Sequence, residues 1–250
     1  STVARLLQSR FTKSTKQTYR NFTYSLFKKK NPDTKTCLLF HTHWKEGWNI
    51  HRLAGEYKID KSEILTTYIC RACRKYEIKE YKGQDQRCEK CDQKTLVTPS
   101  VACGVTEQQL SEIYNLMDVY CHPFTSGGQE IPIQEAKLSG VVTLVTNYSC
   151  GEESCEEGSG TIPLDWSEYR EHGTEFRKAS TKPESIRDQL QKVYDLPEEE
   201  RRKLGKQARK WVLTNFDTPV IGKWISDFID SVIASAANRG GTNIIDAFAP

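Results

Sequence analysis

The sequence predicts an α/β fold, a parallel sheet covered by helices on both faces, and three observations carry that prediction. Short apolar runs of strand length alternate with amphipathic stretches of helical period along most of the chain. The run CLLF is apolar at consecutive positions and VVTLV is broken by one threonine alone, as expected of strands buried on both faces. Helix boundaries between them are punctuated by caps, such as Thr106 with Gln109 at a start and Gly140 at a stop. Strands that alternate with helices build βαβ units, and such units build a parallel sheet.

In chain order, residues 15–30 read as a helix, with Tyr19, Phe22, Leu26 and Phe27 on one face and Asn31-Pro32 ending it. Residues 36–41 read as a buried strand, 49–57 as a helix carrying Ile50, Leu53 and Tyr57, and 63–69 as a β-branched strand. A cysteine-rich segment follows. The stretch 106–117 is a helix with Leu110, Ile113, Tyr114 and Met117 as its apolar stripe, and 118–123 is the next strand. Residues 130–139 read as a helix, 141–146 as a buried strand and 161–166 as a further strand. A helix over 183–195 is expected to start with a capping box of Thr181 and Glu184. Helices over 198–214 and 222–236 complete the pattern, and the tail from 238 onward reads as loose or as an interaction segment.

The chain has 250 residues, 37% hydrophobic and 28% charged, which is the profile of a globular protein with one large domain, or one large and one small. No apolar run approaches the roughly 18–20 residues of a membrane span, and no signal-peptide pattern opens the chain. The expectation is a cytoplasmic protein with no membrane partner. A net charge of +3 argues against non-specific nucleic-acid binding as the main task. The charge runs at 28–30 and 198–210 read as solvated helix faces.

Cys70, Cys73, Cys88 and Cys91 form two CxxC pairs separated by residues 74–87. One tight turn lets two thiolates reach the same tetrahedral ion, and a second turn supplies the other two ligands. Four sulfurs leave no open position for water, so the expected role is structural Zn²⁺; unmetallated thiols or a redox pair are the alternative. The ribbon's basic residues, among them Arg71, Arg74, Lys79 and Arg87, are nearly balanced by acidic ones. A structural or protein-docking role is therefore expected ahead of nucleic-acid contact. Cys37, Cys103 and Cys121 read as buried thiols, and Cys150 and Cys155 as free thiols in an acidic loop.

The segment TSGGQEIPIQEAKLSG, residues 125–140, follows the strand that ends at His122-Pro123. In parallel sheets, ligands bind outside the carboxyl ends of the strands. Amides at a helix N-terminus, reached through glycines, suit a phosphate. His41, His43 and His122 each end a strand on this side.

The run 106–147 resembles the donor-binding half of retaining GT-B glycosyltransferases of the family 4 kind. The residues that carry the likeness are Ile113-Tyr114, Met117-Asp118, Ser126, Pro132, Glu135-Ala136 and Gly140. The likeness extends more loosely to Arg10 and Lys16 upstream and to the last helix downstream. It implies a Rossmann-like domain that binds a nucleotide sugar of UDP, GDP or ADP type. Gly127, Gly128 and Gln129 would serve the diphosphate through their amides. Arg10 and Lys16 would add fixed positive charge, making a catalytic metal unnecessary. Glu135 would hold the ribose, with Ser126 and His122 beside the donor. Relatives usually carry a second glutamate at the position of Gly127, and the nearby substitute here is Glu130. A zinc ribbon at this place resembles phage-encoded glycosyltransferases.

The expected organisation is a Rossmann-like domain of residues 1–69 and 95–220, a zinc-ribbon insert of 70–94, and a closing helix and tail of 221–250. The resemblance implies an acceptor-binding domain, or a partner chain, beyond the residues present. The acceptor is a glycan, a protein or a modified DNA base. Two further readings stay open: a non-catalytic nucleotide-sugar binding module, and a zinc-ribbon nucleic-acid adaptor on an α/β scaffold.

Overall fold

The computed structural model describes residues 5–8, 16–45 and 49–238, with side chains over 23–45 and 49–235. Its strands are β1 (Arg5–Gln8), β2 (Cys37–Phe40), β3 (Ile64–Cys70), β4 (Tyr76–Glu80), β5 (Gln86–Arg87) and β6 (Lys94–Val97), then β7 (Val119–His122), β8 (Val142–Thr146), β9 (Thr161–Leu164), β10 (Trp166–Arg170) and β11 (Arg177–Thr181). Its helices are α1 (Lys16–Lys30), α2 (Ile50–Glu56), α3 (Glu107–Asn115), α4 (Ile131–Leu138), α5 (Cys150–Ser154), α6 (Pro183–Asp195), α7 (Glu198–Asn215) and α8 (Thr218–Asn238).

Six strands lie parallel in the spatial order β3-β2-β1-β7-β8-β9. The chain starts in the middle, builds outward to one edge, then returns to build the other half. The order reverses between β1 and β7, and the carboxyl ends of those strands border the crevice where doubly wound sheets bind ligands.

Alternation along the strands divides the core in two. Leu38, Phe40, Val119, Cys121, Val142 and Leu144 face one way, packing with Tyr24 and Phe27 of α1 and Ile186, Leu190 and Val193 of α6. Leu39, Tyr120 and Val145 face the other way, against Leu110, Ile113 and Tyr114 of α3 and Ile133 and Ala136 of α4. The α/β class with helices on both faces is therefore the observed one.

β3 is shared between two structures. Residues 64–66 pair with β2 in parallel, while residues 65–70 pair antiparallel with β4 and β6. The strands β4, β5 and β6, joined by the cysteine-bearing turns, thus extend the edge of the main sheet.

Gly140 follows α4 at φ +71, the left-handed stop that its sequence position predicts. A Cβ at Gly205 of α7 would lie 1.9 Å from the Gly140 carbonyl oxygen, so α4 and α7 meet backbone to backbone.

Three expectations are corrected. The box of Thr181 and Glu184 does not form: Lys182 is the N-cap of α6 without a side-chain bond, and the Thr181 hydroxyl is 2.7 Å from that of Thr146. Residues 166–181 form a two-stranded hairpin that the apolar pattern did not announce. Residues 150–154, read as loop, form the short helix α5. α8 begins at Thr218 and exposes Trp224, Ile225, Phe228, Ile229 and Ile233. No described helix is long and apolar enough to cross a membrane.

Candidate functional site

β7 ends at His122, and the loop 123–130 carries the chain across the carboxyl edge of the sheet into α4. Contacts from neighbouring elements hold this loop. The Phe124 amide donates to Thr146 Oγ1 at 3.1 Å, the Ala179 amide of β11 donates to the Thr125 carbonyl at 2.8 Å, and the Ser149 hydroxyl donates to the Gly127 carbonyl at 2.8 Å. Among the described residues, the backbone amides of Gly127, Gly128 and Gln129 donate to nothing in the chain, and Gly128 and Gln129 are exposed. Ser126 is half-buried in the same loop. These amides stand just before the positive end of α4, an arrangement that suits an anion.

Glu130 is the N-cap of α4, but its carboxylate does not cap the helix. It turns back to the strand, with Oε2 2.7 Å from His122 Nε2. His122 is wholly buried, and its Nδ1 lies 3.0 Å from the Tyr120 hydroxyl. Tyr120, His122 and Glu130 thus form a continuous hydrogen-bonded row. Tyr120 is a partner that the motif reading missed; the two-residue strand period, which puts 120 and 122 on one face, is the signal for it.

Glu135 sits half-buried on α4, and its Oε2 accepts a hydrogen bond from the Tyr114 hydroxyl of α3 at 2.9 Å. Lys16 is the first residue of α1, the helix after β1, and its side chain is outside the described residues, as is all of Arg10. Cys150 also borders the site. Burial, and after it the Glu130 carboxylate, push its thiol up to about 11, so it is a neutral group rather than a nucleophile. Cys37, Cys103 and Cys121 are buried, as expected.

The second constellation lies on the ribbon. The sulfurs of Cys70, Cys73, Cys88 and Cys91 all fall within 4.8 Å of one another, with Cys70–Cys91 at 3.5 Å and Cys73–Cys88 at 3.6 Å. Zinc–sulfur bonds of about 2.3 Å in a tetrahedron require sulfurs about 3.8 Å apart, so the four thiols fit such an ion. The two halves repeat one turn. Arg74 N–H donates to the Cys70 carbonyl and Asp92 N–H to the Cys88 carbonyl, with Arg74 at φ 60 and Asp92 at φ 59. Burial would raise the Cys70 thiol, but amides of Cys73 and Ala72 and the Thr95 hydroxyl outweigh it and hold the thiol below its usual range. The cysteine-rich segment is joined to the rest of the fold by Arg74, which donates to the Gly104 carbonyl at 2.7 Å, and by Tyr76, which donates to Glu112 of α3 at 2.9 Å.

No family model matches this sequence, and no curated protein does. Solved structures do match in shape. The C-terminal domain of a glycosyl transferase group 1 family protein from Francisella tularensis aligns with TM-score 0.54 and 12% identity, covering 86% of this chain and 87% of that one. A glycosyltransferase from Rickettsia africae aligns with TM-score 0.58 and 13% identity, covering 93% of this chain and 48% of that one. The fold is that of a GT-B glycosyltransferase C-terminal domain. Sucrose-phosphate synthase from Thermosynechococcus elongatus shares this GT-B fold, with TM-score 0.57 and 11% identity over 93% of this chain and 46% of that one. Anabaena HepE, whose structure contains UDP and glucose, aligns with TM-score 0.54 and 10% identity over 91% of this chain and 48% of that one. The chain thus spans about half the length of these longer GT-B structures.

Proposed function

We propose that this chain is the donor-binding part of a retaining glycosyltransferase that uses a nucleoside-diphosphate sugar. The observation that carries the reading is the row of unpartnered amides at Gly127, Gly128 and Gln129, before α4 and beside the switch point of the sheet. Those amides and Ser126 receive the diphosphate. Arg10 and Lys16, from the segment after β1, bring fixed positive charge to the same phosphates and stabilise the leaving group as its bond to the sugar breaks. That charge takes the place of a catalytic metal at the diphosphate. Glu135 accepts from the ribose hydroxyls, with Tyr114 steadying its other contact. Glu130 flanks the transferred hexose, with the buried His122 behind it.

Cys70, Cys73, Cys88 and Cys91 hold a structural Zn²⁺, which fastens the ends of β3 and β6 and supplies no chemistry to the transfer. The acceptor is a glycan, a protein or a modified DNA base, bound by a further domain or a partner chain. Coverage of only about half of the longer GT-B structures supports that division of labour. The exposed apolar row of α8, from Trp224 to Ile233, is the surface proposed to meet that second part. The chain alone is therefore expected to bind nucleotide sugar yet transfer sugar poorly. Titration calorimetry of the full chain with UDP, GDP and ADP tests the reading. Micromolar binding of one nucleotide is expected, and absence of binding by all three would refute it.

A further inference from the structure

Glu130 occupies the N-cap of α4, a position where a short side chain such as Asp or Ser accepts from the first amides of its own helix, worth about 1 kcal/mol. This one makes no such bond and is drawn back to His122 instead. Both ring nitrogens of the buried imidazole are engaged, Nδ1 with the Tyr120 hydroxyl and Nε2 with Glu130. A Tyr120 O–H donating to Nδ1 leaves the proton on Nε2, where it donates to the carboxylate.

The space above Gly127 completes the arrangement. A Cβ at residue 127 would lie 2.7 Å from Glu130 Oε1 and 3.3 Å from its Cγ, whereas a Cβ at Gly128 would meet nothing within 4 Å. The Glu130 side chain fills the room over residue 127, and a side chain there would displace its carboxylate. The Glu130 side chain keeps 20% of its surface exposed at the mouth of the loop. A carboxylate beside a diphosphate is repelled and stays only if other contacts hold it, and when ionised it can only accept hydrogen bonds, which sugar hydroxyls donate.

We infer that Tyr120 and His122 are positioning residues that hold the Glu130 carboxylate over Gly127, where it receives the hydroxyls of the transferred sugar. The inference rests on the donor-site reading above. It adds what sets Glu130 in place and what a side chain at residue 127 would disturb.

The test compares, by calorimetry, the affinity of the full chain for a nucleoside diphosphate and for its sugar conjugate: UDP with UDP-glucose, GDP with GDP-mannose, ADP with ADP-glucose. For one pair the wild type is expected to prefer the conjugate. Glu130→Gln and Gly127→Ala should each lower that preference about tenfold, as loss of a hydrogen bond to a charged group does. Tyr120→Phe, which removes one oxygen and keeps the packing, should lower it severalfold. Gly127→Ala should add nothing in the Glu130→Gln background, because both act on one carboxylate. Imidazole nitrogen NMR should show His122 protonated on Nε2 in the wild type and a changed signal in Tyr120→Phe. A preference untouched by these variants, additive effects of the pair, or equal wild-type affinity for diphosphate and conjugate would overturn the inference and leave the donor site standing. No nucleotide binding by the wild type would overturn both.

Discussion

Lys137 offers a stability prediction with a definite sign. It lies on α4 two residues beyond Glu135, with 0% of its surface exposed. Its ammonium donates to the Ser154 carbonyl at 2.8 Å and sits 3.8 Å from the centre of the Trp211 ring. Burial outweighs these contacts and the nearby Cys155 and Glu156, lowering the amine from 10.5 to about 7. Such a displacement corresponds to about 5 kcal/mol of disfavoured charge, at roughly 1.4 kcal/mol per unit. Because the folded value is the lower one, the unfolded chain binds the extra proton between about pH 7 and 10.5. Stability therefore rises with pH across that window, and below it both states are protonated and the whole penalty stands. Lys137→Met keeps the volume and removes the charge, and the Ser154 carbonyl retains the Ser159 hydroxyl at 2.8 Å. At pH 6.5 the variant should be more stable by on the order of 2–4 kcal/mol, and its melting temperature higher by about 5–10 °C. At pH 10 the difference should shrink toward zero. Thermal unfolding followed by circular dichroism at both pH values measures it. An equal difference at the two values, or a less stable variant at pH 6.5, would refute the reasoning.

Three further outcomes follow from the geometry. Gly205→Ala would ordinarily gain about 1 kcal/mol of helix propensity; here its Cβ meets the Gly140 carbonyl oxygen at 1.9 Å, so a loss of about 2 kcal/mol in urea unfolding is expected, and a gain would contradict the packing. Cys70→Ser should remove bound zinc, read by atomic spectroscopy, and lower the melting temperature while leaving nucleotide affinity within about twofold, since β2 and β1 stand between β3, which ends at Cys70, and β7, which leads into the donor loop; loss of nucleotide binding would give the cysteine cluster a different role. Glu135→Ala should weaken nucleotide binding about 10- to 100-fold and Tyr114→Phe only severalfold, because one removes the carboxylate and the other its support; equal effects would contradict the ribose assignment.

Much of the fold was legible because buried strands and amphipathic helices leave strong patterns. CLLF and VVTLV are strands at the expected places, and Thr106 with Gln109 forms the expected reciprocal cap. The four-cysteine cluster was legible because its spacing states its own geometry. The hairpin of β10 and β11 was not, since WSEYR is exposed along most of its length and has no apolar face to announce it. The Thr181 cap failed for the same reason: Thr181 belongs to that hairpin and spends its hydroxyl on Thr146. At the candidate site, sequence singled out the glycines, His122, Glu130 and Glu135, but gave no sign that Glu130 turns back to His122. In that contact the Glu130 side chain lies over Gly127, a neighbourhood that exists only once strand, loop and helix are assembled.

The most direct test of the donor site is a crystal structure of the full chain grown with the nucleotide that binds in calorimetry. The diphosphate should lie against the amides of Gly127, Gly128 and Gln129, with the ribose at Glu135. A nucleotide bound elsewhere, on the cysteine ribbon or along α8, would contradict the account.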